Sequence, residues 1–309
     1  MLRSLFIVLG ICGGMQASAQ LLYNTLIVDY DSTVTYKNLK VIPVRKKNPG
    51  PGAIPNLITL SQGLKDGSVS ISERGTASTE NVHWLRLNNN SDNPVFVGAG
   101  EVITGGRQDR MVSKDTVLMP TGTDQYFRTM CVEEGRWSDK EKKFLYSGYA
   151  NPRLRKVLDR QNNQLLIWKE IYAQLDSNKI VSSTLSYSAR RNDKRFIQPD
   201  EEYLNYFRKN LLEKDTSIVG IICMSGNNIL GTDLFDNQRL FEGQSISLLT
   251  GYIETAVASG SQPTVPDATV KLFMDKILDD EQDQEEYCKK NGKLFRYKGK
   301  VMHLTAYDQ

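Results

Sequence analysis

The hydrophobic period of this chain changes near residue 150, and that change limits the fold class. Before it, short β-branched runs at 25–30, 40–45, 57–60 and 68–72 read as strands. Residues 82–87, 95–97, 116–119 and 125–132 extend the pattern. The Asn-rich segment 88–94 predicts a hairpin turn, because Asn and Asp bond their own backbone and tolerate positive φ. A Pro/Gly loop at 48–52 and a turn at 120–124 punctuate the series. After residue 150, Leu154, Leu158, Gln161, Leu165, Trp168, Tyr172 and Leu175 recur in alternating steps of four and three. That spacing predicts one long helix behind Pro152.

Further helices are expected from Pro199, with Tyr203, Phe207 and Leu211 inward, over 245–257 and from Pro266 to Leu278. The acidic run 279–286 reads as a solvated helix end. The continuous apolar run 217–224 predicts a strand buried on both faces, turning at 225–228 into a partner. A closing hairpin is expected around 298–300. The expected class is therefore α+β: a β-rich, largely antiparallel N-terminal half packed with about four helices from the C-terminal half.

The first nineteen residues read as a secretory signal. Arg3 precedes an apolar run over 5–11, and Ala17-Ser18-Ala19 is a small-residue cleavage site. No later run approaches the roughly 20 apolar residues that a spanning helix needs. Residues 20–309 then form a single domain or two packed subdomains, 20–150 and 151–309. Losing Arg3 leaves 38 basic residues against 36 acidic ones. This balance argues neither for nor against a charged partner, but long basic blocks are absent, so nucleic acid has no electrostatic footprint here. The three remaining cysteines, Cys131, Cys223 and Cys288, are too few for a disulfide-stapled scaffold. Two histidines and no C-x-x-C exclude a structural zinc pattern.

Chemistry concentrates in residues 98–137. Gly98-Ala99-Gly100-Glu101 sets a carboxylate behind small residues that admit close approach. Gly105-Gly106 predicts a bend, and in an extended segment Gln108 and Arg110 point the same way. Cys131 and Glu133 share a face opposite Val132, and Arg136-Trp137 follow a turn. Two readings stand. In one, Glu101 and Glu133 move a proton or hold hydroxyls, Arg110 and Arg136 clamp an anion, and Gln108, Cys131, Trp137 and Gly105 complete a pocket. In the other, the same groups form a buried network that fixes the strands. Cys131 has no histidine nearby in sequence to activate it. Asp233, after a strand, reads as a turn or cap residue or as a site residue.

Two blocks carry a family resemblance: Gly100, Glu101, Gly105, Gln108 and Arg110, then Cys131, Glu133, Gly135, Arg136 and Trp137. They resemble the signature blocks of the domain associated with ADP-ribosylglycohydrolases and rhodanese-phosphatases. Residues 164–168 and 220–235 are also similar. The resemblance implies a role with ADP-ribose or NAD-derived nucleotides, and the signal segment would place that role outside the cytoplasm. The expected function is an exported pocket that binds or hydrolyses an anionic, sugar-containing small molecule. The alternative is a non-catalytic envelope module that binds a protein or glycan. The sequence names no cofactor and no oligomeric state.

Overall fold

A computed structural model describes residues 20–48, 56–75, 81–120, 124–138 and 140–308. The signal segment, most of the 48–52 loop and positions 121–123 of the expected turn lie outside the described residues. The fold is α+β, with three sheets that are almost wholly antiparallel. The largest sheet runs, in spatial order, through Leu26–Val28, Leu39–Lys46, Ile218–Ser225, Asn228–Phe235, Lys300–Ala306 and Gly292–Tyr297, with Val34–Tyr36 on the side of Leu39–Lys46. It draws strands from both sides of residue 150. A second sheet orders Lys142–Tyr149, Glu101–Gly106, Arg110–Val112, Gln125–Cys131, Trp84–Asn89 and Val69–Glu73. In the third, Val95–Val97 lies between Thr116–Leu118 and Ile58–Thr59, and the last pairing is parallel.

Strand Ile218–Ser225 is buried at every residue, as its unbroken apolar run requires. Ser225 pairs with Asn228 across the two-residue turn Gly226-Asn227. Both closing strands form around Lys298-Gly299. Helix Gln238–Ser259 lies against this sheet, and Leu248, Leu249, Tyr252 and Ile253 share a core with Ile221, Cys223 and Phe235.

Five expectations need correction. Residues 88–94 do not join a hairpin. Strand Trp84–Asn89 pairs with Gln125–Cys131 and Val69–Glu73, whereas Val95–Val97 belongs to another sheet. Leu60 begins a helix, Leu60–Asp66, because Thr59 and Gln62 form a reciprocal capping box that outweighs the strand-like composition. The expected long helix is two, Pro152–Gln161 and Gln164–Ser177, broken where Asn162 turns left-handed at φ 43° and Asn163 caps the next helix. The break shifts the stripe, so Leu165 is 70 % exposed while Ile167 and Ile171 face the core. Likewise the acidic run opens a separate helix, Glu281–Asn291, capped by Asp280. The C-terminal half therefore holds six α-helices rather than four among the described residues. Pro199 lies inside Lys194–Phe207, not at its start, because Asp193 supplies the cap. Tyr203, Phe207 and Leu211 do face inward.

No described helix is long and apolar enough to cross a membrane.

Candidate functional site

The two signature blocks form three buried polar knots. In the first, Arg136 is the hub. Its Nε donates to Glu133 Oε2 at 2.7 Å, Nη2 to Asp109 Oδ1 at 3.0 Å, and Nη1 and Nη2 to the carbonyls of Gly106 and Gly105 at 3.1 and 3.0 Å. The Asp109 amide donates to Glu133 Oε2, and Ser186 donates to Asp109 Oδ2. A Cβ on Gly105, at φ +120°, would stand 2.3 Å from the Lys143 carbonyl oxygen, so only glycine fits this bend. Trp137 projects beyond the knot, 41 % exposed.

In the second knot Arg110, fully buried, meets Glu73 Oε2 at 3.5 Å and donates from Nη1 to Gln108 O and Oε1 at 3.0 and 3.3 Å. Gln108 and Arg110 thus do point the same way. Cys131 is buried, and Gln164 brackets its backbone: Oε1 accepts from the Cys131 amide at 2.8 Å and Nε2 donates to its carbonyl at 2.7 Å.

Glu101 stands apart from Glu133. It is fully buried, and accepts from the Gly98 amide at 2.7 Å and the Tyr146 hydroxyl at 3.0 Å. Burial pushes its carboxyl up to about 7, against the opposing hydrogen bonds from Gly98, Tyr146 and Gln244. A carboxyl raised in the folded state holds its proton after the unfolded chain has lost it. It therefore costs stability progressively between its ordinary value and about 7, and the cost is constant above that. The difference converts to about 3 kcal/mol. Glu101→Gln is expected to match the wild type at about pH 4 and to exceed it by up to about 3 kcal/mol at about pH 8. Urea titrations at both pH values check this.

Chemistry also gathers at a place that the motif reading missed. Lys293, Thr305 and Asp233 are cross-strand partners at one level of the largest sheet. His303, two residues from Thr305, shares their face. Asp233 is not a turn residue but a fully buried strand residue. Its Oδ2 accepts from Arg155 Nη1 at 3.1 Å and from the Tyr252 hydroxyl at 2.7 Å, and its Oδ1 accepts from Arg155 Nη2 and from Thr305 Oγ1. His303 bridges onward: Nε2 lies 3.5 Å from Asp233 Oδ1 and Nδ1 lies 2.9 Å from Asp115 Oδ2. The His303 ring stacks on Phe235 with centroids 4.3 Å apart. Asp115 Oδ1 accepts from the Ala99 amide at 2.6 Å and from Lys293 Nζ at 3.1 Å.

This chain of charges ends at an open cleft of about 320 Å³, lined by Ala99, Asp115, Asp159, Lys293 and Phe295 among others. Asp159 follows Arg155 by one helical turn and accepts from the Tyr307 hydroxyl at 2.8 Å. Gly100, at φ +95°, lets the first signature block cross this helix: a Cβ there would lie 3.0 Å from Arg155 Cγ. The two cleft carboxyls are pushed in opposite directions. Burial raises both, but the Lys293 ammonium and His303 hold Asp115 well below the ordinary range, whereas Asp159 stays raised.

A signal for this site was present in the sequence only as isolated residues: one of two mature histidines, a lysine in an alternating strand and an aspartate on a helix. They lie too far apart in the chain to form a motif. No described group of three or more His, Cys, Asp or Glu residues is arranged to hold a metal ion.

A family profile described as the ARG and Rhodanese-Phosphatase-superfamily-associated Protein domain, ARPP-1, matches residues 27–307. The chain belongs to this family. The matched segment takes in every strand and helix from Ile27 onward, so the ARPP-1 domain comprises both the signature knots and the cleft. Comparison with curated proteins and with solved structures finds no match.

Proposed function

We propose that this ARPP-1 domain is an exported hydrolase that works in the Asp115–Asp159 cleft on a sugar-containing small molecule bearing an anionic group. One observation carries the reading: two carboxyls with separated proton affinities line the same cleft, the arrangement that divides acid from base. Asp159 holds a proton and delivers it to the leaving oxygen as the glycosidic C–O bond breaks. Ionised Asp115 sets negative charge near the sugar carbon where positive charge develops. Water adds its hydroxyl to that carbon and returns a proton to Asp159. Lys114, an exposed residue of the same cleft lining, draws in the anionic group.

In this reading the signature residues act from behind the wall. Arg136, with Glu133, Asp109 and Gly105, pins the bend at 105–106. Glu101 holds the amide of Gly98, next to the Ala99 that lines the cleft. Arg110 ties Gln108 to Glu73, and Trp137 and Cys131 take no part in the chemistry. One observation favours the second reading, a binding module without turnover: both Asp115 carboxylate oxygens are already engaged, by Ala99, Lys293 and His303.

The test uses the mature protein with ADP-ribose, ribose 5-phosphate and 4-nitrophenyl riboside 5-phosphate, which carries the glycosidic C–O bond, and follows thermal stability and release of nitrophenol. A ligand present at about 100 times its Kd is expected to stabilise by about 2.7 kcal/mol. Binding without product would leave the module reading. Neither binding nor product would overturn the site.

A further inference from the structure

We infer that the Asp115–Asp159 cleft continues into a ring-binding subsite at Trp84, so that the substrate is built of two linked rings. The inference deepens the proposed hydrolase and rests on its cleft. A second cleft of about 390 Å³, lined by Trp84, Arg128, His83, Asn163 and Met130 among others, shares Ser113 and Asn162 with the first. The two clefts are therefore neighbours that meet at these two residues.

The local structure explains the meeting point. The helix that would otherwise run from Pro152 to Ser177 stops at Asn162, which adopts φ 43°. Asn163 then restarts it, its Oδ1 accepting from the amides of Leu165 and Leu166. An asparagine carries the donor and acceptor that a left-handed residue uses locally, and Asn162 lines both clefts where they meet.

At the far end, Trp84 and Arg128 are register partners on neighbouring strands. The guanidinium carbon lies 4.9 Å from the indole centroid. Trp84 is only half-buried and Arg128 is exposed, as is His83. An indole backed by a guanidinium plane is a platform for a flat-faced ring, either a nucleobase or the C–H face of a sugar. The amides and the imidazole beside it suit that ring's polar edge. The reacting sugar then sits between Asp115 and Asp159, and its attached ring on Trp84.

Calorimetry with the mature protein separates the outcomes. The probes are ribose 5-phosphate with one ring, ADP-ribose with a nucleobase, and trehalose 6-phosphate with a second sugar. A two-ring probe is expected to bind about tenfold or more tighter than the one-ring probe. Trp84→Ala should remove that advantage and leave ribose 5-phosphate binding unchanged. Arg128→Ala, at an exposed position, should weaken the two-ring probe alone. Whichever two-ring probe gains identifies the source of the ring. Equal affinity for one and two rings, or equal losses in the variants, overturns the subsite and leaves the hydrolase standing. A Trp84-dependent preference, with no cleavage of 4-nitrophenyl riboside 5-phosphate, keeps the subsite and removes the hydrolase. No binding of any probe removes both.

Discussion

Arg155→Met is expected to destabilise the protein by about 3–5 kcal/mol, the largest single loss among the charged residues discussed. Arg155 and Asp233 are buried together, 1 % and 0 % exposed at their side chains. Burial alone would raise the Asp233 carboxyl; Arg155 and His303 instead hold it far below the ordinary range. Removing the guanidinium leaves a buried anion among Tyr252, Thr305 and His303 without its cationic partner. Much of the loss is the cost of that orphan charge rather than the worth of the pair. Arg155→Met with Asp233→Leu should therefore recover much of the stability. Chemical denaturation of the single and double variants checks this. A double variant no better than Arg155→Met would show that the pair contributes by attraction.

Asp159→Asn is expected to lower turnover by about 10²- to 10⁴-fold while leaving the fold and ligand affinity nearly intact. An amide keeps an acceptor for the Tyr307 hydroxyl but has no proton of suitable acidity to give. The pH profile supplies the sign. A general acid must be protonated, so the wild-type rate should fall on the alkaline side as Asp159 ionises, above the ordinary carboxylate range. Asp115 must be ionised, so the acid limb should lie below that range. The profile is then a bell with an unusually wide plateau. Asp159→Asn should lose the alkaline limb, whereas Glu101→Gln should keep it. Steady-state rates across the pH range decide the matter; an alkaline limb surviving in Asp159→Asn would assign the acid elsewhere.

Elements whose burial and period agree were legible from residue order. The apolar run at 217–224 could only be an interior strand, and Tyr203, Phe207 and Leu211 could only face inward. Local polar chemistry was less so. Asn162 ends a helix whose stripe continues in phase long enough to look unbroken, and the Thr59–Gln62 box is two residues in a β-branched setting. The signature blocks were visible as dense polar clusters, yet density does not tell a knot from a pocket. That depends on Glu73, which reaches Arg110 from 37 positions away, and on Ser186, which reaches Asp109 from 77 away. The cleft is harder still. Ala99, Asp115, Asp159 and Lys293 come together only when the last strands close on the sheet.

Strand Leu39–Lys46 has consequences for the order of assembly. Its sheet partners are Leu26–Val28 and Val34–Tyr36, made just before it, and Ile218–Ser225, made much later. An emerging chain must hold Ile42 and Val44, both fully buried in the finished protein, without their main partner for most of its synthesis. Contacts of such sequence separation repay their loop-closure entropy late, so closure of this sheet is expected to set the pace of folding. The exposed edge meanwhile is open to the wrong neighbour. A chain held unfolded until its last strand arrives avoids that hazard.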